Sequence, residues 1–218
     1  EELTLKLNEL SSATFANEQT EYSKVVVIEN DDAIQSSSTT NQSEDSITQI
    51  ADSGSIFDGI LLNLESYTGE VTIDFTVSGE ASYKNYGYLY QLSDSEKETI
   101  TDPITGNQFN PSDGQDYREL AIQLREGLKL SPEGQSSKTI QYTLSGGNSY
   151  GFFLIANGDV DSVDEDFSQV YFSSPEANSD EIGHIRSLGI NTLGFEDLFN
   201  GGDKDFNDMV VTAEIVDA

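Results

Sequence analysis

Val71-Thr72-Ile73-Asp74-Phe75-Thr76-Val77 alternates apolar and polar side chains at every step. Successive side chains of an extended chain point to opposite faces. Val71, Ile73, Phe75 and Val77 therefore share one face, and the spacing predicts a half-buried β-strand.

The same signal recurs in both directions. Leu61-Leu62-Asn63-Leu64 precedes it. Tyr86, Tyr88 and Tyr90 alternate after it, as does Lys138 to Leu144, which ends at Gly146-Gly147. Phe152-Phe153-Leu154-Ile155-Ala156 is a continuous apolar run and predicts a buried central strand. Val170-Tyr171-Phe172 and Met209 to Val216 complete the set. Asp102-Pro103-Ile104-Thr105-Gly106-Asn107 carries turn chemistry. Tyr117 to Gly127 is read as a helix on Leu120, Ile122 and Leu124, although their spacing of two fits a strand equally well. Many short strands with frequent Gly, Asn and Asp turns predict an all-β domain over residues 56–218. The expected architecture is an antiparallel β-sandwich, jelly-roll-like, with long acidic loops and at most one or two short helices. Residues 1–55 hold Leu3, Leu5 and Leu7 in alternation, the apolar run Val25-Val26-Val27-Ile28, and a Ser/Thr/Asn/Asp-rich stretch from Asn30 to Ser55. They read as N-terminal strands plus a loop or linker, either a small separate element or part of the same domain.

Composition restricts the partners. Eleven Phe and ten Tyr in 218 residues supply a sizeable core. Forty acidic against ten basic residues leave a net charge of −30, which repels nucleic acid and anionic membrane surfaces and concentrates divalent cations. Cysteine is absent, so disulfides, thiolate metal sites and a cysteine nucleophile are excluded. A secreted protein without disulfides needs another staple, and Ca²⁺ is a common one. No apolar run approaches the roughly 18–20 residues of a membrane span.

The chemistry concentrates near the C-terminus. Between Phe195 and Met209 lie Glu196, Asp197, Asn200, Asp203, Asp205, Asn207 and Asp208, with Gly201-Gly202 in their midst. Oxygen donors this dense around a sharp turn repel one another unless a hard cation sits among them. Asp203-Lys204-Asp205-Phe206-Asn207 has the D-x-D-x-N spacing of a calcium loop, with Glu214 at the twelfth position. An EF-hand is nevertheless rejected: its sixth position needs Gly and holds Asp208, flanking helices are missing, and Met209 onward reads as a strand. An RTX turn fails because the unit does not repeat. The expectation is a hairpin-like loop between two strands. Asp203, Asp205 and Asp208 give carboxylates, Asn207 an amide or backbone oxygen, and Glu196 and Asp197 approach from the preceding strand end. That set suits Ca²⁺, which takes six to eight oxygens, better than Mg²⁺. The competing reading is a solvated acidic turn. Donor density, the paired glycines and the apolar flanks Phe195, Leu198, Phe206 and Met209 weigh against it, and Phe206 is expected to plug into the core.

Phe195-Glu196-Asp197 followed by Gly201-Gly202-Asp203-x-Asp205-Phe206-Asn207-Asp208 resembles the signature of the DUF4114 domain family. Weaker likenesses lie upstream in Phe75 to Tyr83, Asp102 to Gly106, Phe153 to Gly158 and Asn178 to His184. Together they extend the resemblance over Ile56 to Val216. The family occurs in bacterial exported and cell-surface proteins, cyanobacterial ones included, and in large adhesins. The resemblance implies a Ca²⁺-containing β-sandwich in a secreted or cell-surface protein, with a non-catalytic role. Members often carry Pro or Gly where this chain has Phe199-Asn200. The run from Asn157 through Asp166 is also unusually acidic, either a second Ca²⁺ site or a solvated loop. Asn157 directly follows a buried strand and is counted among the ligands of the main site.

His184 is the only histidine; with no Cys, the several N and S ligands that a zinc site generally takes are lacking. It is expected in a turn, bonded to the backbone or to an acid near the metal, and Asp180 is expected as an extra ligand. No G-x-S-x-G elbow or phosphate-binding glycine loop appears, and with forty acids a carboxylate pair arises by chance. An enzyme is therefore not expected. The tyrosines at 83, 86, 88 and 90 either pack within the sandwich or present a stacking surface for sugars. The functional expectation is an extracellular Ca²⁺-binding module, structural or adhesive, facing surface polysaccharide or matrix proteins. The alternative is a Ca²⁺-dependent carbohydrate-binding domain.

Overall fold

In the computed structural model, residues 55–80, 83–163 and 167–218 are described; the strands expected within residues 1–54 lie outside them. In chain order the strands are β1 (Phe57–Asp58), β2 (Leu61–Asn63), β3 (Glu70–Ser78), β4 (Tyr86–Leu92), β5 (Ile100–Thr101) and β6 (Gln108–Phe109). They continue with β7 (Ser137–Ser145), β8 (Ser149–Ile155), β9 (Val170–Phe172), β10 (Ile185–Gly189), β11 (Thr192–Phe195) and β12 (Met209–Asp217). The single α-helix among the described residues is α1 (Gln115–Gln123). Every strand pairing is antiparallel. One five-stranded sheet runs β1-β2-β8-β4 with β9 also on β8, a second runs β10-β11-β12-β3-β7, and β5-β6 is a separate hairpin.

Alternation along β3 is the pattern that unites the sheets. Val71, Ile73, Phe75 and Val77 are fully buried, and they pack with Leu89, Phe152 and Leu154 of the facing sheet and with Phe195, Met209 and Val211 of their own. Phe152 and Phe195 meet edge to face across the interface, ring centroids 6.2 Å apart. This is sandwich packing, with each inner face closed by the other.

The continuous apolar run in β8 has a different cause. All seven of its residues are buried because the first sheet is covered on both faces. Phe152 and Leu154 point into the sandwich. Phe153 and Ile155 point outward, to a second cluster with Tyr88, Tyr90, Phe172 and, from α1, Tyr117, Leu120 and Ala121. The helix is anchored by its buried residues Tyr117, Leu120 and Ala121, a 3–4 spacing, with Ile122 and the C-cap Leu124 partly buried beside them. The equal-weight strand reading of that segment is thereby removed. Tyr88 and Tyr90 are 5% and 0% exposed, and Lys129 Nζ sits 3.9 Å above the Tyr86 ring. Neither buried ring is a surface on which a sugar can stack.

Register fixes two ends. Glu70 pairs with Ser145 and Leu92 with Ser149, so one end gathers the start of β3, the end of β4 and the β7–β8 turn. Ser78 pairs with Val210, Tyr86 with Ile155 and Phe195 with Met209, so the other end carries the acidic loop.

Candidate metal centre in the C-terminal hairpin

The last two strands form the expected hairpin. Phe195 and Met209 are paired and fully buried, and the loop Glu196 to Asp208 departs from that fixed base. Its tight path needs unusual backbone angles. Gly201 and Gly202 have φ of 75° and 46°, and Asn200, Lys204 and Phe206 join them in the left-handed region. The base is held by close backbone approach. A Cβ on Gly194 would lie 2.3 Å from the Phe206 carbonyl oxygen, and one on Gly79 would lie 2.3 Å from that of Asp208.

Glu196 is the buried centre, 1% exposed. Its backbone N–H donates to the His184 carbonyl at 2.9 Å, and its Oε1 accepts from Phe206 N–H at 2.8 Å. Gly202 leaves the space in front of Oε2 open, since a Cβ there would stand 2.7 Å from it. Asp203 and Asp205, both exposed, follow on the same loop. Carboxylate oxygens of Glu196, Asp203 and Asp205 lie within 4.8 Å of one another. The four ion pairs among the described residues involve none of these carboxylates and not Asp208.

The other expected ligands form a ring around the three. Asn207 donates from Nδ2 to Asp205 Oδ2 at 2.7 Å and from its backbone N–H to Oδ1 at 3.2 Å. Asp208 Oδ2 accepts from the Asp197 backbone N–H at 3.0 Å. Burial, aided by the carboxylates of Asp197, Glu196 and Asp205, pushes the Asp208 carboxyl up to about 6 despite that bond. Asp197 Oδ2 accepts from Asn85 Nδ2 at 2.7 Å, and Asn85 Oδ1 accepts from the Asn157 backbone N–H at 3.2 Å. Asn157 thus reaches the site through its backbone, and its side chain is exposed.

Asp180 is buried against His184. Its Oδ2 faces Nε2 at 3.0 Å and accepts from Asn200 N–H at 2.8 Å, while Oδ1 accepts from Ile182 N–H at 3.2 Å. Burial raises this carboxyl, but the Asn200 N–H, His184 and the Ile182 N–H outweigh it and hold it below the usual range. His184 Nδ1 faces the Glu196 carbonyl at 3.1 Å, and its ring stacks on Tyr171 with centroids 3.8 Å apart. The histidine is a brace between Asp180 and the root of the acidic loop.

Two expectations change here. Phe206 does not plug into the core. It is half-buried with φ of 59°, and the Arg186 guanidinium sits 4.9 Å from its ring centroid. Its backbone N–H and carbonyl meet Glu196 and the Gly194 position, so the main chain of this residue fixes the loop. Leu198 is 46% exposed, leaving Phe195 and Met209 as the apolar anchors. Asn85 was not foreseen: a lone Asn between Tyr83 and Tyr86 carries no periodic or motif signal. In the acidic run after Asn157, Asp159 pairs with Lys129 at 3.1 Å and caps Asp161; Asp164 to Asp166 lie outside the described residues.

The donor set fits a hard cation. Ca²⁺–oxygen distances of 2.3–2.6 Å put ligand atoms at most about 5 Å apart across the ion, and the three carboxylates meet that span. Nitrogen and sulfur donors are missing from the cluster, which disfavours zinc.

Fold and loop together define an antiparallel, sandwich-like β-domain with a C-terminal hairpin that gathers carboxylates. Residues 144–215 match the family model described as Domain of unknown function (DUF4114), the family that the loop motif resembles. The matched segment holds β8 to β11, the acidic loop and most of β12. No curated protein and no solved structure matches the chain.

Proposed function

We propose that this chain carries a Ca²⁺-binding β-sandwich module of an exported protein, non-catalytic, with a structural or adhesive role at the cell surface or matrix. One observation carries the metal: the oxygens of Glu196, Asp203 and Asp205 converge within 4.8 Å with no cationic side chain among them. In this reading Glu196, Asp203 and Asp205 hold the ion. Asn207 and Asp208 stand ready to add oxygens, and Asp197, Asp180 and Asn157 brace the loop through Asn85 and His184. The ion supplies positive charge that offsets the mutual repulsion of the carboxylates, and so ties β11 to β12. The net charge of −30 and the lack of cysteine agree with a module stapled by a cation outside the cell.

The test is a thermal melt with calcium and with EDTA, joined to elemental analysis of the purified protein. Calcium should be found at near one equivalent or more, and its removal should lower the melting temperature. Equal melting temperatures and no calcium would refute the assignment.

A further inference from the structure

We propose that the end of the sandwich opposite the acidic loop is a metal-independent binding site for a neutral saccharide. A cavity of ≈470 Å³ opens there between the β2–β3 loop, the β4–β5 loop and the β7–β8 turn, lined among others by Glu65, Gln91, Ser95, Glu96, Asn148 and Ser149. That volume lies within the range of small-molecule sites, about 300–1,000 Å³.

The walls are fixed before any ligand arrives. Leu64 N–H donates to the Asn148 carbonyl at 2.9 Å, Gly147 N–H to the Leu64 carbonyl at 2.8 Å, and Gly146 N–H to the Gly69 carbonyl at 2.7 Å. Gly146 is required for this approach, because a Cβ there would lie 2.8 Å from the Tyr67 carbonyl oxygen. Side chains continue the stitching. Glu65 Oε1 accepts from Ser95 Oγ at 2.8 Å and from Ser149 Oγ at 2.9 Å, one hydroxyl from each of the other two wall segments. Gln91 Nε2 donates to Asn148 Oδ1 at 2.8 Å, and Asn148 Nδ2 is spent on the Ser145 and Gly146 carbonyls.

What remains open defines the ligand. Glu65 Oε2, Gln91 Oε1 and the Glu96 carboxylate accept no hydrogen bond among those of the described residues, the last lying in the field of Lys97. Gln91 Nε2 keeps one N–H open beside its bond to Asn148, whereas the hydroxyls of Ser93, Ser95 and Ser149 and the Asn148 amide are engaged. Lys97, the cation next to the lining residue Glu96, is held by Asp94 at 2.9 Å. A ligand that fits must bring several donors without negative charge. The hydroxyls of a neutral sugar do so, and a carboxylate accepts from them at fixed spacing. Uronates and sulfated sugars are repelled by Glu65, Asp94 and Glu96. A simple amine finds no shape readout here that it lacks elsewhere on so acidic a chain. With little apolar surface in the cavity, single-site affinity falls in the millimolar range.

The full chain is tested on an array of neutral, uronate-bearing and sulfated oligosaccharides, and neutral hits are titrated by NMR. The titration is run in calcium and in EDTA, below the melting temperature of each form. Neutral oligosaccharides should bind equally in both buffers. Glu65→Gln and Gln91→Ala, both at exposed side chains, should weaken binding at least tenfold with melting temperature unchanged. Four results overturn the proposal: no neutral sugar bound, uronates preferred, spermidine competing as well as the sugar, or binding untouched in both variants. Loss of sugar binding in EDTA by folded protein would assign the site to the metal loop and overturn it too.

Discussion

Replacing Asp203 by Asn isolates the electrostatics of the acidic loop. The side chain is exposed and accepts no hydrogen bond among those of the described residues, so the nearly isosteric change removes charge and little else. Its carboxylate oxygen lies within 4.8 Å of those of Glu196 and Asp205. At that separation two like charges repel by about 1 kcal/mol in the dielectric of water. Two such pairs, roughly halved by physiological salt, leave about 1 kcal/mol. For a domain of this size that is about 2–4 °C in melting temperature. In EDTA, Asp203→Asn should therefore melt about 2–4 °C higher than the parent. With calcium the sign of the comparison changes. At a free calcium concentration a hundredfold above Kd, the ion stabilises the parent by about 2.7 kcal/mol, or about 5–10 °C. A variant that binds tenfold more weakly keeps about half of that gain. Calorimetry in the two buffers reads both numbers. A variant that melts no higher than the parent in EDTA, with an undiminished calcium shift, refutes the idea that these carboxylates share a cation.

Further consequences follow from other parts of the fold. The Asp208 carboxyl is raised to about 6 in the folded, metal-free chain, above the unfolded value of about 3.9. Its contribution to stability is complete below about pH 4 and is lost as pH rises through 6; urea titrations of the EDTA-treated protein should show this slope, and Asp208→Asn should flatten it. Gly194→Ala places a methyl group 2.3 Å from the Phe206 carbonyl oxygen, a backbone atom that a rotamer change cannot move. It should cost about 1–3 kcal/mol in denaturant unfolding and weaken calcium binding by displacing the loop. Phe153→Ala, at a fully buried ring between Tyr88 and Phe172, should cost about 3–5 kcal/mol and loosen α1 from the sheet. Proteolysis at α1 should then speed up before the sandwich itself unfolds.

Strands were legible in the sequence wherever one face is dry and the other wet. β3 shows this, with four buried side chains alternating with polar ones, and the apolar run Phe152 to Ala156, which covers the second half of β8, was equally readable although the strand begins earlier, at Ser149. The helix was ambiguous because Leu120, Ile122 and Leu124 are spaced for a strand. The residues that seat it are Tyr117, Leu120 and Ala121, and an Ala or a Tyr is a weak periodic marker without knowledge of the sheet beneath. β10 was not foreseen: only Ile185 of its five residues is buried, so this edge strand carries no alternation.

At the acidic loop the sequence by itself determined the donor chemistry: the oxygen donors, the paired glycines and the absence of thiols are a matter of residue type, and they suit a hard cation rather than a soft one without any coordinates. Which donors converge was decided only by tertiary structure. Glu196, Asp203 and Asp205 come together because Phe195 and Met209 pin the strand ends and Gly202 leaves room before Glu196. Asp180 is drawn aside by His184, and Asp197 by Asn85, a residue 112 positions away. Phe206 shows the limit most directly, since its hydrophobicity suggested a core anchor while the backbone path through a φ of 59° leaves its ring on the surface under Arg186. Hydrophobicity is a property of the residue, but the direction of a side chain is set by the chain on either side of it and by the sheet to which that chain must return.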